Sequence, residues 1–202
     1  MHKAYSSTMK DDVNTFHKFL NATQEISLED FNIILQYTEI REVKPSDVLV
    51  NEGKVAKELF FVIDGILKIV STNEKGNEVI QFFIKENKFC TILYSFTGEV
   101  ISREEIIAAT PGKVLVFSKK KLVELFEKLP YFKNMIESIT QKTLMEKIKV
   151  RNLLMGEEAS VRYHKFISEH PDLMLKLPLS DVASYLGITQ QSLSRIRKNI
   201  HF

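Results

Sequence analysis

The stretch LPLSDVASYLGITQQSLSRIRK, residues 177–198, contains two short amphipathic segments on either side of a glycine. Ser180 is the predicted N-cap of the first segment, and the small Ala183 leaves room for a second helix to cross it closely. Gly187 supplies the left-handed conformation that ends such a helix, and Thr189 is the predicted N-cap of the next one. These spacings predict a helix-turn-helix. Its apolar core is expected to contain Val182, Leu186, Ile188, Leu193, Ile196 and Ile200.

The second predicted helix presents a polar face of a kind that suits the major groove of DNA. Arginine pairs with two acceptors of guanine, glutamine pairs with adenine, and lysine and serine contact phosphate. The alternative is an α-hairpin with an ordinary solvated surface, but the small alanine, the turn glycine and the second cap together favour DNA binding. The predicted DNA-binding residues are Thr189, Gln190, Gln191, Ser192, Ser194, Arg195 and Lys198, with Arg197 beside them.

Charge is distributed unevenly along the 202 residues. Residues 1–118 hold 13 Lys and Arg against 17 Asp and Glu, whereas residues 119–202 hold 15 against 9. A basic C-terminal part behind an acidic N-terminal part is typical of a polyanion-binding module joined to a part that binds no polyanion. This asymmetry agrees with DNA binding at the C-terminal end.

Several classes of protein are excluded by composition. The single cysteine, Cys90, forms no internal disulfide and does not supply the four thiolates of an iron–sulfur cluster. The N-terminus has no apolar run of signal-peptide length, and no stretch reaches the roughly 18 apolar residues of a membrane span. We therefore expect a cytoplasmic protein without a membrane partner.

Residues 39–117 contain short apolar runs of β character that are separated by turn signals. Asp64-Gly65 supplies the positive φ that a tight hairpin requires. Short strands at this spacing predict an all-β sandwich, jelly roll or barrel. The expected strands are Ile40–Val43, Val48–Val50, Leu59–Ile63, Ile66–Ser71, Val79–Ile84, Ile106–Ala109 and Val114–Phe117.

Helical patterns flank this β region. Ser27 and Asp30 form a start similar to a capping box, and Ser118 is the predicted cap of a helix that ends near Leu129-Pro130. A long helix is expected from Tyr131 to Met155, where no glycine or proline interrupts the chain. A further helix is expected near Ser160–Glu169.

The long helix carries a pattern that two chains could share. Alternating spacings of three and four residues predict the seam of a two-stranded coiled coil, and packing of this face on the chain's own barrel is the alternative. Glu146 and Leu153 continue the same pattern. The predicted dimer seam consists of Ile136, Ile139, Thr143 and Val150.

Three segments resemble the cyclic-AMP receptor/fumarate–nitrate regulator (Crp/Fnr) family of bacterial transcription factors. Residues 59–69 resemble its barrel motif, residues 76–80 its next hairpin, and residues 183–195 its DNA-reading element. The resemblance extends over roughly residues 20–200. It implies an α+β fold made of a cyclic-nucleotide-binding-type β-barrel (jelly roll), a long dimerisation helix and a C-terminal helix-turn-helix domain.

The implied boundaries are 1–128 for the sensory barrel, 129–156 for the dimerisation helix and 157–202 for the helix-turn-helix domain. Because the sequence stops at Phe202, we expect that domain to be wingless. The resemblance further implies a homodimer, with double-stranded DNA and RNA polymerase as its other partners.

The ligand-binding residues of the family are not retained. Thr91 stands where the family's glutamate grips the ribose hydroxyl, and its phosphate-binding Arg-Ser pair falls on Ser102 and Arg103. A lone arginine beside Glu104 and Glu105 makes a poor phosphate site. We therefore expect no cyclic-nucleotide cofactor, and either another effector or none. The residues of the candidate effector pocket are Cys90, Thr91, Ile92, Ser102 and Arg103.

Three functions follow from these patterns. The first is a DNA-binding transcription regulator whose effector is not cyclic AMP. The second is a regulatory protein that binds a cyclic nucleotide or another small ligand and acts through protein contacts. The third is an enzyme, but the barrel segment has no histidine, and no nucleophile–base pair or metal-ligand set is visible. We expect no catalytic residues and no metal site.

Overall fold

The computed structural model describes residues 7–199 of the chain. The predicted core position Ile200 lies outside this range. The strands are β1 Glu39–Val43, β2 Val48–Val50, β3 Glu58–Asp64, β4 Leu67–Thr72, β5 Glu78–Ile84, β6 Phe89–Cys90, β7 Glu104–Ala108 and β8 Gly112–Ser118. The helices are α1 Ser7–Thr23, α2 Leu28–Gln36, α3 Leu93–Gly98, α4 Lys119–Lys128, α5 Pro130–Met155, α6 Ala159–Glu169, α7 Pro171–Lys176, α8 Leu179–Tyr185 and α9 Gln190–Lys198.

The strands form two four-stranded antiparallel sheets that pack face to face. The first sheet has the order β1-β8-β3-β6, and the second has the order β2-β7-β4-β5. This arrangement confirms the predicted jelly roll. The two sheets are not closed into one cylinder, so the fold is a sandwich and not a barrel. Each strand alternates its side chains between the two faces of its sheet.

The first sheet is covered on both faces. Its inner face, which includes Phe60 and Val116, packs against the second sheet. Its outer face, which includes Phe61 and Phe117, packs against α1, α2, α4 and α5. A strand that is buried on both faces has a nearly continuous apolar sequence, as β3 does.

The turn between β3 and β4 requires a glycine. Gly65 has a φ of 88°. A Cβ added there would lie 2.6 Å from the carbonyl oxygen of Pro111, in the turn between β7 and β8. The positive φ predicted for this glycine is present, but the predicted hairpin is wrong, because β3 and β4 lie in different sheets and do not pair.

Two predicted caps of the N-terminal part are present. The Ser27 side chain accepts a hydrogen bond from the Asp30 N–H, and the Ser118 side chain accepts one from the Lys121 N–H. Each cap satisfies a backbone donor that the first turn of a helix leaves unpaired. Pro130 is the first residue of α5, where its missing N–H costs nothing.

The C-terminal helices α6 to α9 form a small domain that packs on the outer face of the second sheet. Its core contains Phe166, Leu173 and Val182, and Ile66 from the β3–β4 turn is part of the same cluster. Phe83 of β5 and Tyr185 of α8 meet with ring centroids 5.2 Å apart. The jelly roll thus lies between a layer of helices and the helix-turn-helix domain.

Most expected elements agree with the structure to within two residues at each end. Three short elements were not expected: β6, α3 and α7. Ser180 was wrongly predicted as a cap, because α8 begins at Leu179 and its N-cap position is Pro178, which has no side-chain hydrogen bond.

Candidate nucleic-acid interface and ligand-binding regions

The turn between α8 and α9 has the geometry of a Schellman motif. Gly187 has a φ of 66°, and its N–H donates to the carbonyl of Ser184. The next N–H, that of Ile188, donates to the carbonyl of Ala183 at 3.0 Å. These two bonds satisfy carbonyls at the end of α8, and the left-handed glycine sets the angle at which α9 departs. The predicted helix-turn-helix is present.

Helix α9 begins at the predicted cap. The Thr189 hydroxyl accepts a hydrogen bond from the Ser192 N–H at 3.1 Å and donates one to the Ser192 hydroxyl at 2.9 Å. Leu193 is fully buried in the domain core, and Ile196 packs beside it. Because these two positions face inward, the opposite side of α9 faces solvent. Ser192, half-buried and bonded to the cap, lies at the edge of that outward face.

The outward face of α9 carries five exposed polar side chains. They are Gln190, Gln191, Ser194, Arg195 and Lys198. Arg197 is also exposed, but it lies on the flank of the helix. Within residues 7–199, none of the ion pairs involves Arg195, Arg197 or Lys198. The face therefore carries positive charge on long side chains, and these side chains are free to contact a polyanion.

The interior of the jelly roll is filled by the protein's own side chains. Cys90 and Ile92, two candidate pocket residues, are buried there with Phe60, Ile106 and Val116. Burial raises the pKa of the Cys90 thiol to about 12, against a smaller opposing effect of Lys147. The thiol is neutral and enclosed, so it is a packing residue and not a reactive one.

The polar residues of the candidate pocket are bonded to their own backbone. The Thr91 hydroxyl donates to the carbonyl of Glu58 at 2.9 Å, and the buried Ser102 hydroxyl donates to the carbonyl of Glu104 at 2.7 Å. Arg103 is exposed, and its backbone N–H donates to the Tyr94 hydroxyl. A cyclic-nucleotide phosphate buried in this sandwich needs an inward-facing cation, and these residues do not supply one. They do not fit the nucleotide.

The expected seam of α5 faces the chain's own domains. Ile136 is 7% exposed, and Ile139 packs against the same core under the first sheet. Thr143 and Val150 line a cavity against β5 and β6. For Ile136 and Ile139 the alternative, packing on the chain's own domain, is realised within this chain, and the dimer seam stays a prediction. Over residues 130–152 of α5, the exposed large apolar side chains are Leu144, Met145 and Ile148.

The helix-turn-helix domain is held on the second sheet by specific polar contacts. The Lys68 ammonium lies 2.9 Å from the Asp181 carboxylate, and both side chains are largely buried. The Ile80 N–H, on edge strand β5, donates to the Ser184 hydroxyl at 3.0 Å. Helix α8 thus covers a sheet edge and satisfies one of its donors. Sequence reasoning missed this contact surface, which no local motif marks.

The described residues also bear on metal binding and on membrane insertion. Among residues 7–199, no group of three or more His, Cys, Asp and Glu side chains is arranged to hold a metal ion. No helix in the described part of the chain combines the length and apolar character needed to cross a bilayer.

The sequence is similar to a known domain family and to known regulators. The sequence model of the cyclic nucleotide-binding domain matches residues 40–129. The cAMP-activated global transcriptional regulator CRP of Salmonella typhimurium is 21% identical over 176 residues, which cover 81% of this chain and 83% of that protein.

Solved structures share the fold at low identity. The c-di-GMP-responsive global regulator CLP of Xanthomonas campestris has a TM-score of 0.69 at 17% identity, over 85% of this chain and 90% of that one. FixK2 from Bradyrhizobium japonicum has a TM-score of 0.70 at 16% identity, over 81% of this chain and 84% of that one. These likenesses extend beyond the jelly roll into the C-terminal helices, because each covers most of both chains.

Proposed function

We propose that the chain, whose residues 40–129 match the cyclic nucleotide-binding domain, is a Crp/Fnr-type transcription regulator that binds double-stranded DNA as a homodimer through α9. The proposal includes an effector that is not cyclic AMP. We further propose that the protein is a regulator without enzymatic activity and that RNA polymerase is a second partner. We propose the cytoplasm as its location, because the DNA it would bind is there.

The observation that carries the DNA-binding proposal is the outward face of α9. Thr189 and Gly187 fix the start and the direction of this helix, and Leu193 anchors it. The groove-facing positions then hold arginine, lysine, glutamine and serine, the side chains that most often contact bases and phosphates. Basic charge alone is common on protein surfaces. Here it lies on a helix that is capped and anchored in the core, and its basic side chains form none of the ion pairs found among residues 7–199.

The expected half-site contains a guanine. Arg195 is exposed on the outward face, and an arginine so placed makes bidentate contacts to guanine. The two glutamines at the start of α9, Gln190 and Gln191, match adenine at neighbouring positions and offer no carboxylate to cytosine N4. The half-site should therefore keep a guanine and differ from the family's usual sequence beside it.

Dimerisation is proposed because one helix-turn-helix contacts too little DNA for useful specificity. Two such units read half-sites about 34–36 Å apart. The exposed apolar side chains of α5 that offer themselves to a second copy are Leu144, Met145 and Ile148, which lie within about one helical turn. We place the seam on this face. Ile148→Asp should then yield monomers in sedimentation, whereas Lys142→Gln, an exposed position on the same helix, should not.

The test of DNA binding is a selection from random-sequence duplexes, followed by titration of the selected site. Arg195→Ala should lose roughly 1–3 kcal/mol of specific binding and relax the choice of base at one position in each half-site. Arg197→Ala is the matched control, since it removes the same charge from the flank of the same helix. It should lower affinity evenly across sequences and leave the selected bases unchanged.

The competing function is a ligand-responsive protein whose helix-turn-helix contacts another protein. A selection that enriches no sequence, with wild-type protein that sediments as a dimer, would favour that reading. Enrichment that is identical for wild type and Arg195→Ala would contradict the assignment of Arg195 and leave the base-reading role to other residues.

A further inference from the structure

A cleft lies where the jelly roll, the long helix and the helix-turn-helix domain meet. It holds a cavity of about 200 Å³. One wall comes from β5 and β6, the second from the middle of α5, and the third from α6, α7 and α8. Ligand sites in proteins occur preferentially at such junctions between domains. The cleft adjoins the interior of the jelly roll, because Phe82 lines the cleft and also packs against the interior cluster.

The walls of the cleft are mostly apolar and aromatic. A β-bulge at Gln81 changes the phase of β5, so that Phe83 points toward the helix-turn-helix domain together with Ile80. Phe82, one residue earlier, lies at the rim beneath α5. The remaining apolar lining residues are Ile84, Phe89, Val150, Phe166, Leu173 and Tyr185. Flat rings on several sides suit a flat ligand.

Lys147 brings a positive charge to this apolar cleft, and it opposes the effect of burial, which raises the pKa of the nearby Glu104 carboxyl. Its ammonium lies 4.7 Å from the centre of the Phe82 ring. It takes part in none of the ion pairs found among residues 7–199. A lysine held over an aromatic face keeps its hydrogen-bond donors free for an anion.

His170 adds an unsatisfied polar atom to the opposite wall. Its Nδ1 is buried and has no hydrogen-bond partner. Burial, with a smaller contribution from Lys85, lowers the pKa of this histidine, so that the ring is neutral near pH 7. A buried nitrogen without a partner carries a desolvation cost that a ligand with a polar atom removes.

The cleft as a whole is cationic. Its lining includes the lysines Lys85, Lys88 and Lys147 against one carboxylate, that of Glu146. Lys88 is already paired with Glu146 at 3.2 Å, and Lys85 is paired with Asp172 on α7. Lys147 is the lysine of the cleft lining that forms no ion pair, although Glu104 of β7 lies within range of its charge. An anionic ligand would complement this ammonium better than a neutral or cationic one.

We propose that this interdomain cleft binds a small carboxylate with a flat apolar body, whose ring lies among Phe82, Phe83 and Phe166 and whose carboxylate meets Lys147. A polar atom at the far end of such a molecule reaches His170 Nδ1. The aromatic walls and the single unpaired ammonium together select this class over a cyclic nucleotide, whose ribose and phosphate need many more polar partners.

Occupancy of the cleft acts on the contact between the two domains, because the ligand touches both. It should stabilise the contact of α8 with β5 and slow hydrogen exchange of the Ile80 amide, which Ser184 holds. That this contact in turn controls DNA binding rests on the proposed function. Ligand binding and exchange at Ile80 are measured without DNA, so their failure is distinguishable from a failure to bind DNA.

The test uses 2-naphthoate as the probe and its neutral amide, 2-naphthamide, as the matched compound. The protein has no tryptophan, so naphthalene fluorescence is observed against tyrosine alone. We expect one 2-naphthoate per chain with a dissociation constant below about 1 mM, and at least about tenfold weaker binding of the amide. Equal binding of the two compounds would overturn the proposed chemical class.

Two substitutions locate the site. Lys147→Gln should weaken 2-naphthoate at least about tenfold, and Val150→Trp, which fills the cleft, should abolish binding. Lys149→Gln, an exposed neighbour on the same helix, is the control and should bind as wild type does. Binding that survives both Lys147→Gln and Val150→Trp, or none by the wild type at 1 mM probe, would refute the site.

A direct map keeps the test valid if Val150→Trp fails to fold. In the wild type, naphthalene protons should show nuclear Overhauser effects to Leu173 methyls and to the Phe166 ring. Effects instead to Leu144, Met145 or Ile148 would show that the probe covers the exposed face of α5, and would overturn the proposal.

Discussion

The interior of the jelly roll and the cleft beneath the helix-turn-helix domain differ in what each offers to a ligand. In the interior, apolar side chains such as Phe60 and Val116 fill the space, and the hydroxyls of Thr91 and Ser102 are bonded to nearby carbonyls. In the cleft, space remains beside Phe83, and Lys147 and His170 carry polar groups without partners. A fold thus keeps its architecture while the place that suits a ligand changes.

The difference has a physical origin in the polar groups of each region. Thr91 and Ser102 stand where the family resemblance places a glutamate and an arginine. Each of these two hydroxyls donates a hydrogen bond to a nearby backbone carbonyl, so neither needs a ligand. At the junction of domains, His170 Nδ1 has no such bond, and Lys147 forms none of the ion pairs found among residues 7–199. The first region therefore closes on itself, and the second retains a need for a partner.

The largest expected effect tests whether the interior is closed. Phe60→Ala should reduce the free energy of unfolding by about 3–5 kcal/mol, because the ring is fully buried and its loss leaves a cavity among well-packed neighbours. Phe83→Ala, at the half-buried wall of the cleft, should cost clearly less. Urea denaturation of both variants makes the comparison. Equal costs would show that the interior is packed no better than the cleft.

The sequence predicted the parts of the fold that depend on local patterns. The helix-turn-helix follows from Gly187, Thr189 and Leu193, whose roles act within a few residues and are all observed. The strands were found because their apolar runs end at turn residues such as Asp64-Gly65. Element α3 was missed because it has six residues and no capping side chain.

The cleft and the seam were beyond sequence reasoning for a different reason. Phe82, Val150 and Phe166 come from three elements that are far apart in the chain, and only tertiary packing brings them together. A spacing of three and four residues shows that one face of α5 is apolar, but it does not say whether that face meets the chain's own sheet or a second copy. In Ile136 the first alternative is realised.

The second prediction concerns cyclic nucleotides in the interior. Cyclic AMP and cyclic GMP should give no measurable heat in isothermal titration, because Arg103 is exposed and the hydroxyls of Thr91 and Ser102 are already bonded to backbone carbonyls. A dissociation constant weaker than roughly 1 mM is about 4 kcal/mol short of a micromolar complex. Low-micromolar binding that disappears in Arg103→Ala would show that this side chain turns inward, and the contrast between the two regions would be lost.

A smaller effect is expected at the contact of α8 with β5, which lies beside the cleft. Ser184→Ala removes the acceptor of the Ile80 N–H, which should cost about 1 kcal/mol and speed exchange of that amide roughly fivefold. Ser180→Ala, an exposed position on the same helix, is the control and should leave the rate unchanged. The measurement is native-state hydrogen exchange followed by NMR. An unchanged Ile80 rate in Ser184→Ala would mean that α8 does not protect the edge of β5.

The smallest effect is a dependence of stability on pH that comes from His170. Burial and the nearby Lys85 lower its pKa, while Glu169 and Asp172 act in the opposite direction. Since the unfolded chain then binds the proton more readily than the native one, stability is fully present above the ordinary histidine pKa of about 6.5 and falls as the pH drops from there toward the lowered value.

Urea midpoints measured from about pH 8 down to about pH 5 should show this decline, and His170→Asn should flatten it. His164→Asn, which removes an exposed histidine of α6, the helix that ends just before His170, should keep the wild-type slope. A carboxylate bound in the cleft would reach the same nitrogen, so adding 2-naphthoate should change the acid-side slope in the wild type and leave it unchanged in Val150→Trp. A slope that is the same in wild type and His170→Asn would show that the ring is not held in a desolvated wall of the cleft.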